Sequence, residues 1–280
     1  MKKPYIGITG FMSSKEVELV LSAYKKARPI IKSSFGTIVY IGDYDRYLMV
    51  GVLANLATLY GQKGLQPNRY PEIGDIKNIF SHHNNDVINL IHYSTTEEKT
   101  LFVQMMALTE LVGGSLDGFQ LNIPWPNPNE LRAYNARYPH KIIVLQIGRK
   151  ALALATGTLG LHTCLSAYKG LIDYVLFDPS GGKGEPFNAT AILQCLKIAR
   201  DTLGESVGLS VAGGLSSKTL HILEPIIKEF PDISIDAESK LRNEIDNLDI
   251  AETESYIKTA FEVLQGMWRK GEMKSFKNCY

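Results

Sequence analysis

The sequence is poor in cysteine, in net charge and in long apolar runs, and each shortage removes a class of protein. Only three cysteines occur in 280 residues, Cys164, Cys195 and Cys279. An odd number at wide spacing makes neither a disulfide framework nor a zinc-ligand pattern, and it suits a reducing compartment. Positive and negative side chains nearly cancel, leaving a formal net charge of +1. Nothing in that balance calls for nucleic acid or a membrane surface as partner. No stretch approaches the roughly 20 apolar residues needed to cross a bilayer. The lysines of "MKKPYIGITG" precede no apolar segment of signal-peptide length. Low-complexity linkers are absent too. The expectation is a soluble cytoplasmic chain, long enough for one large α/β barrel or two ordinary domains.

What is present is an alternation. Apolar runs rich in strand-forming residues stand at 5–9, 47–54, 87–94, 116–122, 141–148, 173–179, 207–214 and 233–238. Such near-continuous runs suit a parallel sheet covered on both faces. Helical patterns fall between them at 14–27, 97–111, 187–202, 217–229 and 251–265. "SSKEVELVLSAYKKA" is the best formed: Ser13 or Ser14 can cap, Glu16 falls in the first turn, and Val17, Val20, Leu21 and Tyr24 share a face. Eight such units in about 250 residues is the count for a (β/α)8 (TIM) barrel. The expected architecture is therefore one barrel domain over residues 1–280. Two segments exceed the plain repeat: an extra loop or hairpin at 28–46, at the bottom of the barrel, and a Gly/Gln/Asn/Pro-rich loop at 56–72, at the top.

In this architecture the chemistry lies at the C-terminal ends of the strands. Here those ends carry Thr9, Asn55, His92, Asn122, Gln146, Asp178, Gly213 with Gly214, and Asp236 with Glu238. Polar groups ending nearly every apolar strand would be costly in a packed core. They fit a solvated pocket mouth and a small polar ligand. "YVLFDPSGGKGEPFN" delivers Asp178 from a buried strand into a glycine-rich loop. "SVAGGLSSKTL" places Gly213 and Gly214 before Ser216 or Ser217 at a helix start, an arrangement that can admit a phosphate or form an ordinary capped turn. His82 and His83 are adjacent, so their side chains diverge; no metal and no cofactor is called for. Trp125, in "NIPWPNPNELRAY", either stacks on a heterocyclic ligand or belongs to helix-capping chemistry.

The order and spacing of these segments resemble phosphoribosylanthranilate isomerase. "YIGITG" looks like that family's Cys-Gly-Ile-Thr first strand, and "LMVGVLAN" like its third-strand Val-Gly-Val-Phe. "GFQLN" resembles its Gln-Leu-His-Gly strand, "VLFDPSGGKGEPFN" its Leu-Leu-Asp strand and glycine loop, "VAGGL" its phosphate loop, and "SIDAES" its Asp-Val-Ser-Ser segment. The resemblance implies an Amadori rearrangement of a phosphorylated, sugar-derived metabolite. Asp178 is then the acid. Gly213, Gly214, Ser216 and Ser239 hold the phosphate, and Gln120, Asn122, Gly182 and Gly184 contact the substrate. The family's base, the first-strand cysteine, falls on Ile6, which accepts no proton. Candidate substitutes are Glu238 and His92, with Asp236 as a base or a brace. Lys240 and Arg242 replace the glycine-containing phosphate turn and either reinforce the anion site or form a solvated turn. Two alternatives stand beside the isomerase: a catalytically lapsed barrel that binds a regulatory ligand, and an aldolase or lyase with Lys150 as Schiff-base amine, which requires that lysine to be buried.

Overall fold

Eight short strands, buried along most of their length, build the frame. They are β1 (Tyr5–Thr9), β2 (Tyr47–Asn55), β3 (Val87–Ser94), β4 (Gly118–Leu121), β5 (Ile142–Gly148), β6 (Tyr174–Asp178), β7 (Gly208–Ala212) and β8 (Ser234–Ala237). Each pairs in parallel with its neighbours in chain order, and β8 returns to β1 through Ile6↔Ile235, so the sheet closes. This is the (β/α)8 barrel expected from the sequence. The computed structural model describes residues 2–28, 45–62, 66–180 and 188–275, with the paired segments 31–32 and 38–39.

The helical layer comprises α1 (Ser14–Ala27), α2 (Leu56–Leu59), α3 (Ile73–Ile79), α4 (Leu101–Val112), α5 (Pro128–Arg137), α6 (Arg149–Ala155), α7 (Gly157–Ser166), α8 (Ala189–Leu203), α9 (Glu224–Glu229) and α10 (Ile250–Ser275). The capping box at α1 is as expected: Ser13 Oγ accepts from Glu16 N at 3.3 Å and Glu16 Oε2 from Ser13 N at 3.0 Å. Val17, Val20, Leu21 and Tyr24 are the buried face of that helix. Among the described helices none is long and apolar enough to cross a membrane.

Strand alternation sorts the side chains into two layers. Ile6, Ile8, Val175 and Phe177 point outward and join the large core under the helices. Tyr5, Met49, Ile88, Leu90, Val144, Tyr174, Leu176 and Ala212 point inward and plug the barrel. Tyr5 and Tyr174 meet edge-on there, their centroids 5.3 Å apart. One step further along the strands, the inward position turns polar.

Three expectations change. "LMVGVLAN" pairs directly with β1 and is the second strand; the third place belongs to Val87–Ser94. The early units are therefore in plain order, and the segment that resembles a third-strand motif stands in second place. The helix expected at 217–229 is a turn, a 3₁₀ segment at Leu220–Leu223 and then α9. Its start is displaced because the Thr219 hydroxyl accepts from Ser216 N at 2.9 Å and donates to Gly214 O at 2.7 Å, closing a local turn. The last helix runs to Ser275 rather than 265. Of the insertion at 28–46, Ile31–Lys32 pairs antiparallel with Ile38–Val39, the hairpin form of the expectation.

Candidate active site

The inward polar positions form one hydrogen-bonded chain across the barrel mouth. Thr9 Oγ1 donates to Asp236 at 3.1 Å, and Gln120 Nε2 donates to Asp236 Oδ2 at 3.1 Å. The same Gln120 Nε2 reaches Gln146 Oε1 at 3.2 Å, and Gln146 Nε2 donates to Asp178 Oδ2 at 3.2 Å. Ser180 closes the far end, donating to Asp178 Oδ1 from Oγ at 2.6 Å and from N at 3.1 Å. Two carboxyls are thus joined through two amides whose orientations the carboxyls dictate. Every donor in this chain is neutral.

Two glycines make the crowding possible. A Cβ on Gly7 would lie 2.8 Å from Asp236 Oδ1 and 2.7 Å from Met49 Cε. The Asp236 carboxyl therefore occupies the space of the missing β1 side chain. Gly213, at φ +113°, would bring a Cβ to 3.2 Å from Asp178 Oδ1. Both close approaches need a residue without Cβ.

Burial sets the electrostatics. Desolvation pushes the Asp236 carboxyl up to about 7, against the hydrogen bonds from Gln120 and Thr9. It drives the His92 imidazole down to about 4, with only the Asp178 charge opposing it. Glu238 is also raised by burial, with the Arg69 guanidinium pulling the other way. Neither ring nitrogen of His92 has a hydrogen-bond partner among the described residues, nor does Gln120 Oε1. An unsatisfied buried polar atom costs about 1–3 kcal/mol.

Above this floor lies a cavity of about 500 Å³ bordered by His92, Asn122, Gln146, Asp178, Ser180 and Glu238, with a basic wall at Arg149 and Lys150. A recess of about 30 Å³ continues below it, lined by His92, Gln120, Asp178, Asp236, Gly213, Gly214, Ser239 and Lys240. The structure thus brings together Asp178, Glu238, His92, Gln120, Asn122, Gly213, Gly214 and Ser239. Ser216 lines neither space; its amide and hydroxyl are engaged by Thr219 and Lys218. Gly182 and Gly184 lie outside the described residues, as does Cys279.

Other expected contributors have structural duties. Asn55 caps α2 by accepting from Thr58 N at 3.0 Å. Trp125 donates from Nε1 to Ala151 O at 2.9 Å and leans on Tyr168, so it braces α6 instead of facing a ligand. Arg242 is not an anion ligand: its buried side chain donates to Gly10 O at 3.1 Å, to Asn68 O and to Asp246. Lys150 is exposed, so the burial that a Schiff-base amine requires is not met. Cys164 and Cys195 sit in α7 and α8, packed on the outer core. His83 Nδ1 lies 3.5 Å from Asp117, and among the described residues no group of His, Cys, Asp or Glu is placed to hold a metal ion.

Ile6 needs a separate correction. It faces the helical layer, so a cysteine there would not reach the mouth. The β1 side chains on the inner face are Tyr5, Gly7 and Thr9, and the group beside them is Asp236.

Two functional residues escaped the sequence reading. Ser180 was hidden in a loop dominated by its glycines. Arg69 meets Glu238 at 2.8 Å and Asp246 at 2.8 Å from 169 and 177 positions away, which no local pattern reveals.

Neither a protein-family model nor any curated protein matches the sequence. Among solved structures, the barrel is similar to phosphoribosylanthranilate isomerase from Thermotoga maritima, at 17% identity and TM-score 0.60 over 92% of this chain and 98% of that one. It is similar to a phosphoribosylanthranilate isomerase holding reduced 1-(o-carboxyphenylamino)-1-deoxyribulose 5-phosphate, at 15% identity and TM-score 0.59 over 92% and 98%. The tryptophan synthase alpha subunit of Legionella pneumophila also superposes, at 11% identity and TM-score 0.55 over 94% and 92%. At these identities the likeness establishes the fold.

Proposed function

We propose that the protein is an acid–base isomerase acting on a small phosphorylated, sugar-derived metabolite. The observation that carries this reading is the pair of buried carboxyls, Asp178 and Asp236, spanned by Gln120 and Gln146 at the base of the cavity. Support for the substrate class comes from the similar isomerase whose bound ligand is a sugar phosphate derivative. The phosphate would lie against Gly213, Gly214 and Ser239, with Lys240 beside them.

The resemblance assigns the acid role to Asp178, but the carboxyl that burial keeps protonated up to about neutrality is Asp236. We therefore assign Asp236 as the donor and Asp178 as the acceptor. Asp236 gives its proton to the ring oxygen as the C1–O bond breaks, and an amine nitrogen at C1 supplies the electron pair. Asp178 then removes the C2 proton, and those electrons neutralise the iminium to leave an enol. The enol tautomerises to the ketone, and solvent restores both carboxyls. Ser180 and Gln146 orient Asp178 through three hydrogen bonds. Glu238, paired with Arg69, bounds the mouth rather than moving a proton.

The test is turnover of phosphoribosylanthranilate, followed by loss of substrate fluorescence. Wild-type turnover is expected, with kcat reduced about 10²–10⁴-fold in Asp178→Asn and in Asp236→Asn, the usual weight of a general acid or base. Absence of turnover in the wild type removes that substrate. Unchanged rates in both variants remove the mechanism.

A further inference from the structure

His92 and Gln120 hold three buried polar atoms that proton transfer does not use. They are Cα partners across β3 and β4, so both side chains leave the sheet on its inner face. His92 is 7% exposed and Gln120 1%. Neither imidazole nitrogen and no part of Gln120 Oε1 finds a partner among the described residues. His92 borders both the cavity and the recess beneath it. The Gln120 amide cannot turn over to exchange its atoms. Its Nε2 donates to Gln146 Oε1, and Gln146 is fixed in turn by donating from Nε2 to Asp178 Oδ2, so an oxygen in place of Nε2 would face an acceptor.

We propose that His92 and Gln120 form a receptor for an uncharged, hydroxylated carbon chain of the ligand. The chemistry of the three atoms selects this class. A neutral imidazole offers one donor and one acceptor, and Gln120 Oε1 only accepts. Hydroxyls both donate and accept, so they satisfy all three. A phosphate or carboxylate brings acceptors alone and leaves the ring acceptor and Oε1 unmet. Charge points the same way: Asp178 and Glu238 border both spaces that His92 borders, while the recess's one lining cation among the described residues, Lys240, adjoins Ser239 on the side assigned to the phosphate. Burial also keeps the imidazole uncharged, with its pKa held down at about 4. The ligand therefore lies with its hydroxyls over His92 and Gln120 and its phosphate toward Gly213, Gly214, Ser239 and Lys240. Only the phosphate end of this picture rests on the function proposed above; the hydroxyl receptor stands on His92 and Gln120.

The experiment uses ribitol, ribitol 5-phosphate and inorganic phosphate as probes. Imidazole ¹⁵N signals are followed in the intact protein, with His92 assigned by its loss in His92→Leu. Ribitol 5-phosphate, and ribitol at higher concentration, are expected to shift both His92 ring nitrogens; inorganic phosphate is not. His92→Leu is expected to weaken ribitol 5-phosphate at least tenfold by calorimetry, and His92→Gln, which keeps a donor and an acceptor, to recover part of that loss. Ring signals unmoved by either polyol, or a His92→Leu affinity within twofold of wild type, would overturn the proposal. If both polyols move His92 but the phosphate adds no affinity, the receptor stands and the phosphorylated-substrate reading falls.

Discussion

Two networks of charged side chains meet at the barrel mouth, and they are built on opposite principles. The outer one runs from Glu238 to Arg69, Asp246 and Arg242, and ends on the backbone carbonyls of Gly10 and Asn68. Each carboxylate in it faces a guanidinium. Asp246 is accordingly held below the ordinary carboxylate range, first by its hydrogen bond from Arg69. The inner network places Asp236 and Asp178 among hydroxyls and amides only. Burial there has no cation to offset it, and Asp236 is pushed up to about 7. Opposed charges bind loops together; an unopposed carboxyl retains a proton that it can give away. The difference separates a brace from a reaction centre.

The comparison is most easily broken at Arg242. Arg242→Ala removes five hydrogen bonds made by a buried guanidinium and strands Gly10 O, so a loss of about 3 kcal/mol is expected by urea denaturation. A loss below 1 kcal/mol would show that the outer network is not a brace.

Asp236→Asn should behave in the opposite sense. The folded carboxyl titrates near 7, above its ordinary value of 3.8, so its contribution to stability is present at low pH and is lost as pH rises through 7. The variant lacks that loss and gains on the wild type between pH 4 and pH 7, by up to about 4 kcal/mol at roughly 1.4 kcal/mol per pH unit, with no further gain above pH 7. Parallel stability curves would contradict the assignment. His92 carries the reverse sign: its pKa is depressed to about 4 from 6.5, so the wild type weakens as pH falls through that window. His92→Leu is expected to gain on it by up to about 3.5 kcal/mol over the same fall.

The smallest effect sharpens the boundary of the site. Trp125→Phe removes the hydrogen bond to Ala151 while keeping an aromatic ring, and about 1 kcal/mol of stability should go with it. Ligand affinity should stay within twofold, because Trp125 supports α6 from behind the cavity wall.

The barrel was legible because each strand is a short apolar run covered on both faces, a pattern that survives without long-range information. The mouth was half legible. His92, Gln146 and Asp178 each stand two residues beyond an inward Leu90, Val144 or Leu176, so period-two counting marks them as facing the pocket. The same counting would have turned Ile6 outward and Gln120 inward, where matching motif letters put the missing base on Ile6. Arg69, Asp246 and Ser180 followed no such rule. Arg69 meets Asp246 and Glu238 through barrel closure, which joins positions far apart in the chain, while Ser180 folds back on Asp178 through the local geometry of its loop. Ser216 looked like a helix cap but closes a turn with Thr219, a competition between side-chain and helical hydrogen bonds that composition does not resolve.

One titration bears on the reaction centre most directly. The ¹³C carboxyl resonance of Asp236, identified by its absence in Asp236→Asn, is followed from pH 4 to pH 9 in the unliganded protein. A midpoint near 7 is expected, as burial among neutral donors requires. A midpoint near 4 would mean that Asp236 is an ordinary carboxylate at neutral pH, with no proton to donate, and the proposed acid of the site would be lost.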